Sequence, residues 1–138
     1  AENVSLPDVL KYTIDEIEKI RNVDLVVILE ENYPFRPKGL ITKLVNSIIE
    51  GGYDTVCASI IEERGIWLDT QDQIVPIGDR KMKSRSIKSE KIHINLFGLC
   101  AVTYVDNIRK KSILTNKIGL SPVPSYPYSL QIASQDQT

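Results

Sequence analysis

The run Leu25-Val26-Val27-Ile28-Leu29 restricts the fold more than any other stretch. Five consecutive apolar residues make a strand buried on both faces, because a strand with one wet face would alternate. Such strands sit in sheets covered by helices on both sides, so an α/β fold with a mostly parallel sheet is expected. The flanking segments supply the helices. Ser5 to Arg21 carries Val9, Leu10, Ile14, Ile17 and Ile20 at three- and four-residue steps, with Ser5 as N-cap and Pro7 and Asp8 in the first turn. Lys38 to Glu50 places Leu40, Ile41, Leu44, Val45, Ile48 and Ile49 on one face, and Gly51-Gly52 ends it. Asp54 to Ile61 is a second β-branched strand. Strand, loop, helix and strand form a βαβ unit with a right-handed crossover.

The remainder is less regular. Ile66 to Leu68 and Gln73 to Ile77 flank the polar turn Asp69 to Asp72, which predicts a hairpin. Arg80 to Lys91 is a basic loop. Ile92 to Tyr104 is strand-rich, Asp106 to Thr115 suits a short helix, and Ile118 to Val123 and Tyr128 to Ala133 suit short strands around the turn Pro124 to Pro127. A frayed tail, Ser134 to Thr138, is expected. With 138 residues, 42% of them hydrophobic, residues 1–138 read as one domain with a real core. The 17 basic and 18 acidic residues nearly cancel, which disfavours binding nucleic acid through net charge. The apolar run Leu25 to Leu29 is far too short for a membrane span. No basic segment followed by an apolar stretch opens the chain, so a cytoplasmic location is expected.

Cys57 and Cys100 each lie in an apolar strand and read as free core thiols. His93, the single histidine, lies between Ile92 and Ile94 and reads as structural; any catalytic unit needing a histidine would rest on it alone. No cluster of Cys and His suggests zinc.

Ligands of open α/β sheets bind beyond the carboxyl ends of strands. Glu30-Glu31-Asn32-Tyr33-Pro34-Phe35-Arg36-Pro37 occupies that place after the most buried strand and is the candidate site. Arg36 brings five donors for phosphate or carboxylate, ahead of a helix N-terminus with its partial positive charge. Glu30 could accept hydroxyl protons from a sugar or bind a metal. The opposing reading is a turn with an exposed arginine and two solvated acids. If the loop is a ligand site, Arg36→Ala is expected to weaken ligand binding and leave thermal stability nearly unchanged.

Ile28 to Arg36 also resembles the leucine-leucine-glutamine-proline-threonine-serine-proline-leucine-arginine segment of the CMP-sugar cytidylyltransferases of the acylneuraminate type. Gly51-Gly52-Tyr53-Asp54-Thr55-Val56 resembles the start of that family's next strand. The hairpin Trp67 to Ile77 resembles the strand pair before its dimerisation arm, and Gly98 to Tyr104 the strand after it. Lys117 to Leu120 and Ser129 to Ile132 resemble the closing strands.

The resemblance implies a Rossmann-like nucleotide-diphospho-sugar transferase fold lacking its N-terminal strands, and a homodimer. It implies part of a nucleotidyltransferase that transfers CMP from CTP to a sugar acid with Mg²⁺, releasing pyrophosphate. Glu30, Asn32, Pro34 and Arg36 become substrate-binding positions, with Pro34 shaping the loop and Arg36 supporting the loop or the anionic substrate. The departures are as informative. The family's phosphate-binding loop has no counterpart here, its loop glutamine is Glu30, and its two metal-binding aspartates fall at Gln131 and Ala133. Mg²⁺ is thus implied for a complete enzyme and supported by no carboxylate of this chain. The alternative reading is a non-catalytic domain of that descent that binds a nucleotide sugar or a partner. On either reading, 138 residues stand for a later portion of a larger domain or a shortened relative.

Overall fold

The computed structural model describes residues 5–78, 90–114 and 117–133. The basic loop Arg80 to Lys91 lies almost wholly outside these residues, and the tail Ser134 to Thr138 entirely so. Helix α1 is Leu6–Glu18, capped by the Ser5 hydroxyl, which accepts from the Asp8 N–H. Strand β1 is Leu25–Ile28 and helix α2 is Leu40–Gly51. The strand β2, Thr55–Glu62, is followed by the hairpin of β3, Ile66–Asp69, and β4, Ile74–Ile77. Then come β5, Ile92–Asn95; β6, Ala101–Tyr104; the one-turn helix α3, Val105–Arg109; and β7, Ile118–Pro122. The chain is therefore α/β, as the apolar patterns predict.

The sheet is mixed rather than mostly parallel. Three of its four pairings, β1 with β6, β2 with β6 and β2 with β5, run antiparallel, and β2 with β7 runs parallel. Strand β6 lies between β1 and β2, so the two strands of the expected βαβ unit share a direction without being neighbours. The apolar run was compatible with this because continuous hydrophobicity reports burial on two faces and is silent on direction. Both faces are indeed covered. Leu25 and Val27 turn towards the cluster that Leu40, Leu44 and Ile48 of α2 form with Val56, Ala58 and Val102. Val26 packs on the other side with Leu10 and Ile14 of α1 and Ile108 and Ile113. Ion pairs of Glu18 with Arg109 and of Asp8 with Lys111 tie α1 to the α3 region.

Two further expectations change. Helix α3 is shorter than Asp106 to Thr115, and Tyr128 to Ala133 is a turn followed by irregular chain instead of a strand. Its backbone donors go to turns and to the loop instead of a ladder: the Ser129 N–H to Ser125 O, the Leu130 N–H to Pro127 O and the Ile132 N–H to Asn32 O. Hairpin β3–β4 forms a sheet of its own. Helix α2 ends at Gly52, whose φ of 67° only glycine adopts without strain.

Strands β5 and β6 behave as one long partner of β2, broken by a five-residue excursion at 96–100. The break falls opposite Ala58. The Ala58 N–H donates to the Cys100 carbonyl (2.9 Å), and the Leu96 N–H donates to the Ala58 carbonyl (2.8 Å). The excursion is thus a large β-bulge, the device by which sheets redirect chain near functional sites.

Leu44 has no exposed surface. Leu44→Ala should cost about 2–5 kcal/mol of unfolding free energy, the usual range for an emptied aliphatic site, measured by chemical denaturation. A second test concerns acid stability. Arg64 donates to both Glu62 carboxylate oxygens (2.7 and 2.8 Å) and its backbone N–H adds a third bond, holding the Glu62 pKa down at about 2. A depressed carboxylate pKa stabilises the fold above its unfolded value and stops doing so as pH falls towards the folded one. The melting-temperature gap between wild type and Glu62→Gln should therefore be present at pH 6 and close as pH falls from about 4.5 to 2, by differential scanning calorimetry.

Candidate functional site

Strands β1, β2 and β7 share a direction, so their carboxyl ends lie along one edge of the sheet. Three segments meet there: the loop 29–39 after β1, the bulge 96–100, and the chain 123–133 after β7. The first has no regular structure of its own to hold it. What holds it is Arg36.

The Arg36 guanidinium donates four hydrogen bonds, all to backbone carbonyls. Nε reaches Leu99 O at 2.7 Å, and Nη2 reaches Glu30 O at 2.5 Å and Gly98 O at 3.2 Å. Nη1 reaches Tyr33 O at 3.2 Å. A guanidinium has five N–H donors, so four of them serve to bind the loop to itself and to the bulge. The Glu30 N–H closes the same junction by donating to Gly98 O at 2.8 Å. Arg36 therefore takes the loop-supporting role of the two the sequence offered. The expectation that its removal would leave stability untouched does not stand against this geometry.

Glu30 is half-buried, and among the described residues nothing donates a hydrogen bond to its carboxylate. Its side chain lies against the backbone of Gly98. A Cβ on residue 98 would collide with Glu30 Oε2 and lie 2.5 Å from its Cδ, so glycine is what makes the seat.

Asn32 joins the loop to the chain after β7. Its carbonyl accepts from the Ile132 N–H (2.7 Å), and its Nδ2 donates to Gln131 Oε1 (3.3 Å). Gln131 Nε2 donates in turn to the Tyr33 hydroxyl at 2.8 Å. Asn32 Oδ1 is shut off from solvent and has no partner among the described residues. Tyr33 is buried, and burial first, then the Glu30 charge, pushes its phenol above the ordinary value of 10. Pro34 is exposed on the outer side of the loop.

Of the four candidate residues, Glu30, Asn32 and Arg36 thus belong to one hydrogen-bonded junction, and Pro34 lies outside it. Tyr33 and Gly98 were not singled out as site residues from sequence. Gly98, a glycine interrupting an apolar strand pattern, carried the usual signal of a bulge or a close approach. Tyr33 carried none.

The remaining reactive groups are quiet. Ser59 Oγ and His93 Nδ1 lie 2.9 Å apart, but Ser59 has no exposed surface from which to attack a substrate. Cys57 and Cys100 are free thiols pushed up to about 11, mainly by burial. Among the described residues, no group of three or more His, Cys, Asp or Glu is arranged to hold a metal ion. No described helix is long and apolar enough to cross a membrane. Cavities border the described residues at two places of note. One of about 290 Å³ lies beside Glu62, Arg64 and Ile92, and one of about 190 Å³ between Pro37 to Lys43 and Pro122 to Pro124.

No protein-family model matches this chain, and comparison with curated proteins finds no match.

Arg36→Ala should destabilise the fold by about 2–4 kcal/mol, the scale for losing several partly buried bonds from a charged donor, measured by urea denaturation. Arg36→Lys should recover little, because an ammonium cannot span four carbonyls that a planar fork reaches.

Proposed function

We propose that this chain supplies the sugar-holding wall of a cytidylyltransferase-type site, at the junction of loop 30–36, bulge 96–100 and Gln131. One observation carries the reading: Asn32 and Tyr33 are hydrogen-bonded to Gln131, nearly a hundred positions away. The two segments that the resemblance assigns to the sugar-binding loop and the closing strand thus meet at a carboxyl edge, where ligands of α/β sheets bind. The further parts of the proposal are a Rossmann-like fold, CTP as donor and a homodimer; these rest on the resemblance alone.

Within this proposal the chain's own residues hold and orient, and do not carry out the phosphoryl transfer. Gln131 and Ala133 stand where the family has its metal-binding aspartates. Mg²⁺ prefers carboxylate oxygens, and an amide and a methyl group do not fit it. The alternative, a non-catalytic nucleotide-sugar-binding domain, shares the same site and differs in whether catalytic parts are supplied elsewhere.

Titration of the ¹⁵N-labelled chain with CMP-N-acetylneuraminate tests the site. The amides of Glu30, Tyr33, Gly98 and Ile132 should shift together. Shifts confined to the far end of β2, or none, would remove the loop from the site. The chain alone, given CTP, Mg²⁺ and N-acetylneuraminate, should release no pyrophosphate; measurable release would overturn the assignment of a holding role only.

A further inference from the structure

The chemistry of the junction specifies more about its ligand than the resemblance does, given that the junction is the sugar site proposed above. Its arginine donors are committed. Arg36 directs four of its five donors into backbone carbonyls, leaving no fork to grip a carboxylate. Its negative charge is free. The Glu30 carboxylate receives no hydrogen bond among the described residues.

Glu30 is also held in place. Its backbone is tied at both ends, through its N–H to Gly98 O and through its carbonyl to Arg36. Its side chain rests in a space that a Cβ at residue 98 would fill. A positioned, half-buried carboxylate without a partner is best satisfied by a cation or a donor, and worst by another anion.

We propose that this site prefers the amine-bearing ring of an amino sugar, its ammonium seated on the Glu30 carboxylate, and binds the ring of a sugar acid more weakly. An ammonium offers three donors to acceptors that lack them. A hydroxyl offers one. A sugar carboxylate at the same place would face Glu30 with at most one Arg36 N–H left to grip it.

The test uses the full ¹⁵N-labelled chain and three probes of similar size: glucosamine, glucose and glucuronate. Shifts of the Glu30, Tyr33, Gly98 and Ile132 amides report binding at the junction. Glucosamine should bind about tenfold more tightly than glucuronate, with glucose between them. Glu30→Gln keeps the shape and removes the charge, so it should bring the three affinities close together. Gly98→Ala should expel Glu30 from its seat and abolish the preference; should it fail to fold, Glu30→Gln alone decides.

Glucuronate binding as tightly as glucosamine would overturn the proposal, and so would an unchanged preference in Glu30→Gln. If CMP-N-acetylneuraminate shifts the same amides while the three sugars bind equally, the site stands and only the amino-sugar assignment falls. If no probe shifts those amides, both fall.

Discussion

One arginine determines whether the carboxyl edge of this sheet has a shape at all. The loop 30–37 contains two prolines and neither helix nor strand, so its backbone groups have no ladder to join. Arg36 substitutes for one. Its planar fork satisfies carbonyls from the start and the middle of the loop and from the bulge opposite, and it fixes their separation as well as their pairing. The consequence for function is an exchange of roles. A residue type usually read as a grip for anions is here a brace, and the acid beside it, Glu30, receives no hydrogen bond among the described residues.

The brace needs something to attach to, and the bulge provides it. Had β5 and β6 run on without a break, one of the carbonyls of Gly98 and Leu99 would point at β2 and be committed to its ladder. The excursion at 96–100 frees them, while Ala58 keeps the two ends paired through its own N–H and carbonyl. The same excursion brings Gly98 against Glu30, where the missing Cβ becomes space. Sheet, bulge and loop are therefore one unit. A change in how β6 pairs with β2 would be felt at Glu30 through the excursion.

What the sequence disclosed follows the range of the interactions involved. Helices α1 and α2 were legible because periodicity, the Ser5 cap and the Gly52 terminus act within a few residues. The loop after β1 could be singled out because a doubly buried strand announces a carboxyl end. Strand direction was not legible. Leu25 to Ile28 would carry the same residues beside a parallel or an antiparallel neighbour, provided helices cover both faces, and β6 enters from about 75 positions downstream. The role of Arg36 was hidden for the same reason. All four of its acceptors are backbone carbonyls, which every residue has, and two of them, Gly98 and Leu99, lie more than 60 positions away, so no side-chain pattern could mark them.

Gln131 shows how a single amide changes what such an edge can do. Its Nε2 donates to the Tyr33 hydroxyl while its Oε1 accepts from Asn32. An ionised carboxylate can only accept, so an aspartate there could not hold Tyr33 in this way without a change of partner. On the proposed reading, a position given to metal binding in the resembled family has become a clasp between the last segment and the loop. Arg36 has likewise turned inward, and an acid replaces the loop's amide at Glu30. Each of the three residues, taken singly, is a modest substitution or a familiar residue in a structural role. Together they leave the junction with its guanidinium donors turned to backbone carbonyls and with an acid, Glu30, that receives no hydrogen bond among the described residues.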